Sequence, residues 1–141
     1  MITPFGMLGM VADMSHDQIG SRLSPTGNYG SQSTDWNSID CEIYTTTTWQ
    51  VDVMVQKGKA TSFTTTYGAL HTREGIHVGS SEADLQAAYG NRLTRQENPY
   101  EGVDYFVWAK PDRGFKFEVT NGVVKGISSG SKSIEYVEGC L

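Results

Sequence analysis

The sequence predicts an α+β protein built as two tandem repeats, each a short helix packed on an antiparallel meander of three to four strands. Three observations predict it. Residues Gly9-Met10-Val11-Ala12-Asp13-Met14-Ser15-His16-Asp17-Gln18-Ile19 lie over Gly75-Ile76-His77-Val78-Gly79-Ser80-Ser81-Glu82-Ala83-Asp84-Leu85 without a gap. At nearly the same offset Asp40 to Tyr44 lies over Asp104 to Trp108, and Val51, Val53, Val55 and Gly58 lie over Phe115, Phe117, Val119 and Gly122. Both halves place hairpin signals between strand-forming runs, where a doubly wound parallel sheet needs crossover helices. At 141 residues the chain suits one compact body. Residues 1–70 form the first repeat and residues 71–141 the second, with a C-terminal arm.

The elements follow in order. Each repeat opens on a short apolar lead-in, Met10 and Ala12 or Ile76 and Val78, and reaches a serine, Ser15 or Ser81. Those hydroxyls are placed to accept from the unpaired backbone N–H groups of a first helical turn. Glu82 and Asp84 lie in the first turn of the second helix, where the macrodipole favours carboxylates, and Gly90 ends it. The first helix, 16–23, is interrupted by Gly20 at about 1 kcal/mol relative to alanine. Ile19 with Leu23, and Leu85 with Tyr89, give each helix one apolar face toward a sheet. Turn-rich segments follow at 24–37 and 91–102, the second carrying Asn98-Pro99.

Strand signals rich in Thr, Tyr, Val, Phe and Trp then cover 41–56 and 105–119. Lys57-Gly58 and Asn121-Gly122 read as hairpin turns leading to third strands over 59–66 and 123–130. Residues 65–72 link the halves, and Ile134, Tyr136 and Val137 mark a C-terminal strand or arm. Parity sends Val51, Val53, Val55, Phe115, Phe117 and Val119 toward the helices. Carried across the hairpins, it turns Ile43, Tyr105 and Val107 inward and Tyr44, Phe106 and Trp108 outward. Tyr44, Met54, Phe106 and Trp108 then place aromatic and soft apolar surface on an otherwise polar sheet face.

Composition excludes several functions. The net charge is −5, from 11 Lys and Arg against 16 Asp and Glu, with no basic stripe to neutralise phosphates, so neither nucleic acid nor an anionic membrane is an expected partner. No run approaches the roughly 18 apolar residues of a membrane-spanning helix, and no basic n-region precedes residues 2–11. The start of the chain is compatible with a cytosolic protein or with a mature exported one whose leader is gone.

Cys41 and Cys140 lie far apart, outside any CxxC pair or histidine spacing, so no zinc site is expected. They are either unrelated buried thiols or one disulfide. The disulfide is favoured, because the polar tail around Cys140 has little apolar surface to hold it down. Closing so long a loop contributes up to about 4–5 kcal/mol in the chain-entropy model and implies an oxidising compartment.

No catalytic constellation emerges. His16, His71 and His77 form no Ser-His-Asp or Cys-His arrangement, and Asp13, Asp17, Glu82 and Asp84 read as helix-start carboxylates. The glycines lack both the GxGxxG spacing and a P-loop lysine, so no nucleotide cofactor is expected, and neither is any other. The aromatics are more informative. Three Trp, seven Tyr and five Phe exceed what two small half-cores need. Trp49 is expected in the core, and Tyr100 on a loop. Trp36, Tyr44, Met54, Phe106 and Trp108 are the expected partner-binding surface, since interface hot spots favour Trp and Tyr.

The run Gly79-Ser80-Ser81-Glu82-Ala83-Asp84-Leu85, followed by the strand pair around Asn121-Gly122, resembles the half-domain of the beta-lactamase inhibitor proteins. It is also similar to the small lipoprotein of the bacterial outer-membrane barrel-assembly machinery. The tandem arrangement favours the former, in which two such halves form one concave sheet surface. The first half departs from the pattern at Asp13, where glycine is usual, and at Gly20. The ending Ile134-Glu135-Tyr136-Val137-Glu138-Gly139-Cys140 resembles that of a group of bacterial exported proteins and lipoproteins. Neither resembled family is enzymatic.

Taken with the residues, the resemblance implies a non-enzymatic binding protein of the periplasm or extracellular space, with or without a lipid anchor ahead of the present start. Its partner is expected to be a protein, with inhibition of an envelope or foreign hydrolase as the concrete form. The acidic balance suits a basic target such as a lysozyme-like enzyme. An immunity protein against a secreted toxin and a structural accessory of envelope assembly are the alternatives.

Overall fold

The computed structural model describes residues 1–15, 17–19, 29–31, 41–46 and 49–136. Three two-residue strands come first: β1 (Ile2–Thr3), β2 (Gly6–Met7) and β3 (Met10–Val11). Then follow β4 (Tyr29–Ser31), β5 (Cys41–Thr46), β6 (Asp52–Gln56) and β7 (Lys59–Thr65). Helix α1 (Glu82–Tyr89) leads to β8 (Thr94–Glu97), β9 (Val103–Lys110), β10 (Arg113–Thr120) and β11 (Val123–Gly130). Strands β1-β2-β3 form one sheet, and an eight-stranded sheet runs in the order β4-β5-β6-β7-β11-β10-β9-β8, all pairs antiparallel.

This corrects the expected fold class. Among the described residues the protein is mostly β, with two sheets, and α1 is the only helix of seven residues or more, so it is not two helix-on-meander repeats. The physical reason lies in the first half. Ile2, Met7 and Met10 are almost fully buried and cover the large sheet from the small one, sharing there the covering role expected of the short first helix. Two-residue strands are too short to display a period in the sequence.

Local features common to the halves nevertheless survive. The Asp13 N–H donates to the Ala60 carbonyl and the Ala60 N–H to that of Met14, at 2.8 and 2.7 Å. At the corresponding place the Gly79 N–H donates to the Val124 carbonyl and the Val124 N–H to that of Ser80, both at 2.8 Å. Ser15 begins a helical turn at residues 17–19 through a reciprocal capping box: its hydroxyl accepts from the Gln18 N–H at 3.1 Å, and the Gln18 side chain accepts from the Ser15 N–H at 2.9 Å. Ser81 caps α1, accepting from the Asp84 N–H at 3.0 Å.

The core lies between the large sheet and the cover formed by α1, Ile19 and the small sheet. Val53 and Phe63 from one half and Phe117 and Ile127 from the other join Leu85 and Tyr89 of α1 in one apolar cluster. The rings of Tyr89 and Phe117 lie 5.4 Å apart between centroids, a tilted pair of the kind aromatic quadrupoles favour. The halves of the sheet meet where β7 pairs β11, from Ile127↔Thr65 to Gly130↔Ser62. There the Thr64 and Ser128 hydroxyls bond at 2.7 Å. Asn121-Gly122 turns with φ of 53° and 75°, and Lys57-Gly58 with 53° and 78°, the mirror-image conformation that matches strand twist.

Parity holds for most of the sheet and slips once. Tyr105 and Val107 join the core, but β5 pairs Tyr44 with Val53 and Ile43 with Met54. Tyr44 therefore faces the core and Ile43 the opposite face. The cause is a register shift between Arg113 and Gly114, which resets parity in the β9–β10 hairpin and has no counterpart between β5 and β6.

Candidate functional site

The residues singled out from the sequence are mostly not on an open surface. Trp36 lies outside the described residues. Tyr44 is part-buried against the core, its hydroxyl donating to Glu42. Met54 and Phe106 do face away from the core, yet they are only 8 % and 4 % exposed. Trp108 is half-buried and stacks on Phe106, with centroids 6.1 Å apart and planes 3° from parallel, while the Lys132 ammonium sits 4.9 Å from its ring. Gly114 makes room for that ring, since a Cβ there would meet Trp108 at 2.7 Å. The structure thus brings Phe106 and Trp108 together as packing on the outer face, and the exposed aromatic face expected from these residues is corrected to a covered one. Its cover includes the C-terminal 3-10 turn (Lys132–Glu135), whose Ile134 is buried. An arm folding back across the sheet leaves no periodic trace in sequence.

Cys41, at the first position of β5, is 8 % exposed. Cys140 lies outside the described residues. His16 does too, while His71 and His77 bridge each other's backbone and the His77 Nδ1 lies 2.8 Å from the Val78 carbonyl oxygen. Among the described residues no group of three or more His, Cys, Asp or Glu could hold a metal ion, and no helix is long and apolar enough to cross a membrane.

Among the described residues, two clefts open on the outer face of the large sheet. One, of about 240 Å³, lies mid-sheet between Met54, Asp52, Lys116, Glu118 and the arm residue Tyr136. Lys116 is buried, and its ammonium donates to the Tyr136 carbonyl at 3.2 Å, tying the arm to β10. The second, of about 500 Å³, opens at one end of the sheet among Thr66, Tyr100, Glu101, Glu118, Asn121 and Lys125.

That same end carries three of the exposed aromatic rings. The loop after β5, the segment after β7 and the β8–β9 loop all emerge there, because Thr45 pairs Asp52, Asp52 pairs Thr64, Ile127 pairs Thr65 and Val119 pairs Val103. They present Trp49 at 49 % exposure, Tyr67 at 45 % and Tyr100 at 67 %. The Tyr67 hydroxyl donates to the Gln50 side chain at 2.9 Å, joining the first two segments. Asn98 shapes the third: its side-chain oxygen accepts from the Tyr100 N–H at 2.8 Å and the Glu101 N–H at 3.3 Å. Trp49 and Gln50 hold φ of 66° and 46°, a left-handed conformation unusual for a bulky side chain.

Trp49 is thereby corrected from core to surface, and Tyr67 was not anticipated as a surface residue. The Thr-rich run 45–48 hid the turn, reading as one uninterrupted strand with 49–56. Tyr100, beside Asn98-Pro99, was legible as a loop residue.

On the core side a third cleft, of about 250 Å³, lies between Ile2, Arg73, Glu74, Tyr89, Arg92 and Phe115. The Tyr89 hydroxyl donates to the Glu74 carboxylate at 3.0 Å and is hydrogen-bonded to the Thr72 hydroxyl at 2.9 Å. Burial raises the Tyr89 pKa well above its ordinary value, and the adjacent Glu74 carboxylate adds to the effect. Burial also raises that of Glu74, but hydrogen bonds from Tyr89 and Arg73 outweigh it and leave the carboxyl below its ordinary range. No protein-family model, curated protein or solved structure matches the chain.

Proposed function

We propose that this protein is a non-enzymatic, exported binding protein that grips another protein through the rim of Trp49, Tyr67 and Tyr100, with inhibition of an envelope or foreign hydrolase as its concrete activity. The observation that carries the reading is Trp49, a large aromatic ring presented to solvent from a left-handed backbone position that costs about 1–2 kcal/mol to hold. A local rule broken in favour of an exposed tryptophan is a mark of a functional site. Trp and Tyr are the residues on which interface energy concentrates. The resemblance to the beta-lactamase inhibitor proteins, read from residues 79–85 and 121–122, points the same way, and the net charge of −5 favours a basic target.

The test is a titration of the purified protein against secreted hydrolases of three kinds, beta-lactamases, lysozymes and serine proteases. Stoichiometric inhibition of at least one is expected, weakened about 30-fold or more by Trp49→Ala. Inhibition of none, or inhibition that Trp49→Ala and Tyr100→Ala both leave intact, overturns the reading. Export is tested through a Cys41–Cys140 disulfide, proposed here as the clamp on the C-terminal arm. Thiols should resist alkylation until reduced, and free alkylation of the folded protein shifts preference to an immunity protein acting in a reducing compartment.

A further inference from the structure

The geometry points to the cleft beside Tyr100 as the receptor for an arginine side chain of the partner, with Glu118 as its counter-charge, a specificity that rests on the binding reading above. Glu118 sits on the outer face of β10, half-buried, and among the described residues its carboxylate has neither a hydrogen bond nor an ion pair. It lines both outer clefts and so stands on the wall between them. It also rests directly on β11, because a Cβ at Gly126 would lie 2.7 Å from its Oε2. The two lysines at hand do not neutralise it: Lys116 donates to the Tyr136 carbonyl, and Lys125 lines the cleft and has no ion pair among the described residues. A carboxylate partly withdrawn from water and left without a partner is unfavourable alone and favourable once a cation arrives.

The rest of the cleft suits a guanidinium better than an ammonium. Tyr100 stands exposed at its mouth and offers an aromatic face over which a planar cation stacks. Glu101 supplies a second carboxylate, and Thr66, Thr120 and Asn121 supply oxygen acceptors for the remaining N–H groups of the fork. The opening, about 500 Å³, accommodates the head and its stem. The cleft lies at the same end of the sheet as Trp49 and Tyr67, so a partner seated on those rings reaches it.

The test needs no partner protein. The isotope-labelled chain is titrated by NMR with N-acetyl-arginine methylamide, with the lysine and norleucine analogues as comparators. Saturable shifts are expected at the Tyr100, Thr120, Asn121 and Gly126 amides, strongest for arginine and absent for norleucine. Glu118→Gln, which preserves side-chain size, should weaken arginine binding about tenfold, and the exposed Tyr100→Ala about threefold. Shifts scattered over other carboxylates such as Asp84 and Glu135, shifts unchanged in Glu118→Gln, or a lysine analogue binding as tightly as arginine would each overturn the assignment. Arginine binding without any hydrolase inhibition removes the inhibitor reading and keeps the cleft, whereas inhibition without arginine binding removes the cleft alone.

Discussion

Trp49 holds a φ of 66° that glycine adopts with far less strain, while its ring is half exposed and recovers little by packing. Trp49→Gly is therefore expected to raise the free energy of unfolding by about 1 kcal/mol while weakening partner binding, as read by urea denaturation beside the inhibition assay. A loss of stability would mean that the ring holds the loop together and is not there for a partner. Tyr89 and Glu74 give a second residue-scale prediction. The folded-state pKa of Glu74 lies below its unfolded value, so its stabilisation is complete above the unfolded value and disappears as pH falls through the folded one. Tyr89→Phe removes one of the hydrogen bonds responsible. It should cost about 1–2 kcal/mol at neutral pH and flatten the acid dependence of the urea midpoint below about pH 4.5. An unchanged acid limb would show that Arg73 and the backbone hydrogen bond at Glu74 sustain the shift without Tyr89.

At the scale of elements, α1 is eight residues long and weakly amphipathic, so its caps and its two buried residues decide whether it forms. Ser81→Ala should destabilise the protein by about 1 kcal/mol, measured by thermal or urea unfolding, with Ser81→Thr close to neutral. A negligible loss would mean that Leu85 and Tyr89, docked in the core, fix the helix unaided. Both serine caps were legible in the sequence because capping is a contact between residues three apart. The two-residue turns were legible for the same reason: Asn121-Gly122 and Lys57-Gly58 carry their backbone preference locally. The small β1–β3 sheet was not, since each strand is defined only by what it pairs with and by the sheet that Ile2, Met7 and Met10 cover.

For the whole molecule, the pairing of β7 with β11 makes one continuous sheet and one apolar cluster from both halves of the chain. A fragment of residues 71–141 would expose β11 as an unpaired edge together with the apolar residues behind it. Size-exclusion chromatography and urea unfolding of that fragment should show self-association and no cooperative transition, and a monomer that unfolds cooperatively would establish the second half as an autonomous unit. The candidate site belongs to this scale as well. Trp49, Tyr67 and Tyr100 lie on three loops distant in sequence, and only the strand register carries them to one end of the sheet. By itself the sequence determined what short-range chemistry encodes: the serine caps, the hairpin turns, the strand runs and the apolar parity within each strand. Which face Tyr44 takes, what covers Phe106 and Trp108, and which end of the sheet carries Trp49, Tyr67 and Tyr100 were decided by tertiary structure alone. Each depends on a bulge, a register or a returning arm, and these are fixed by contacts between residues tens of positions apart.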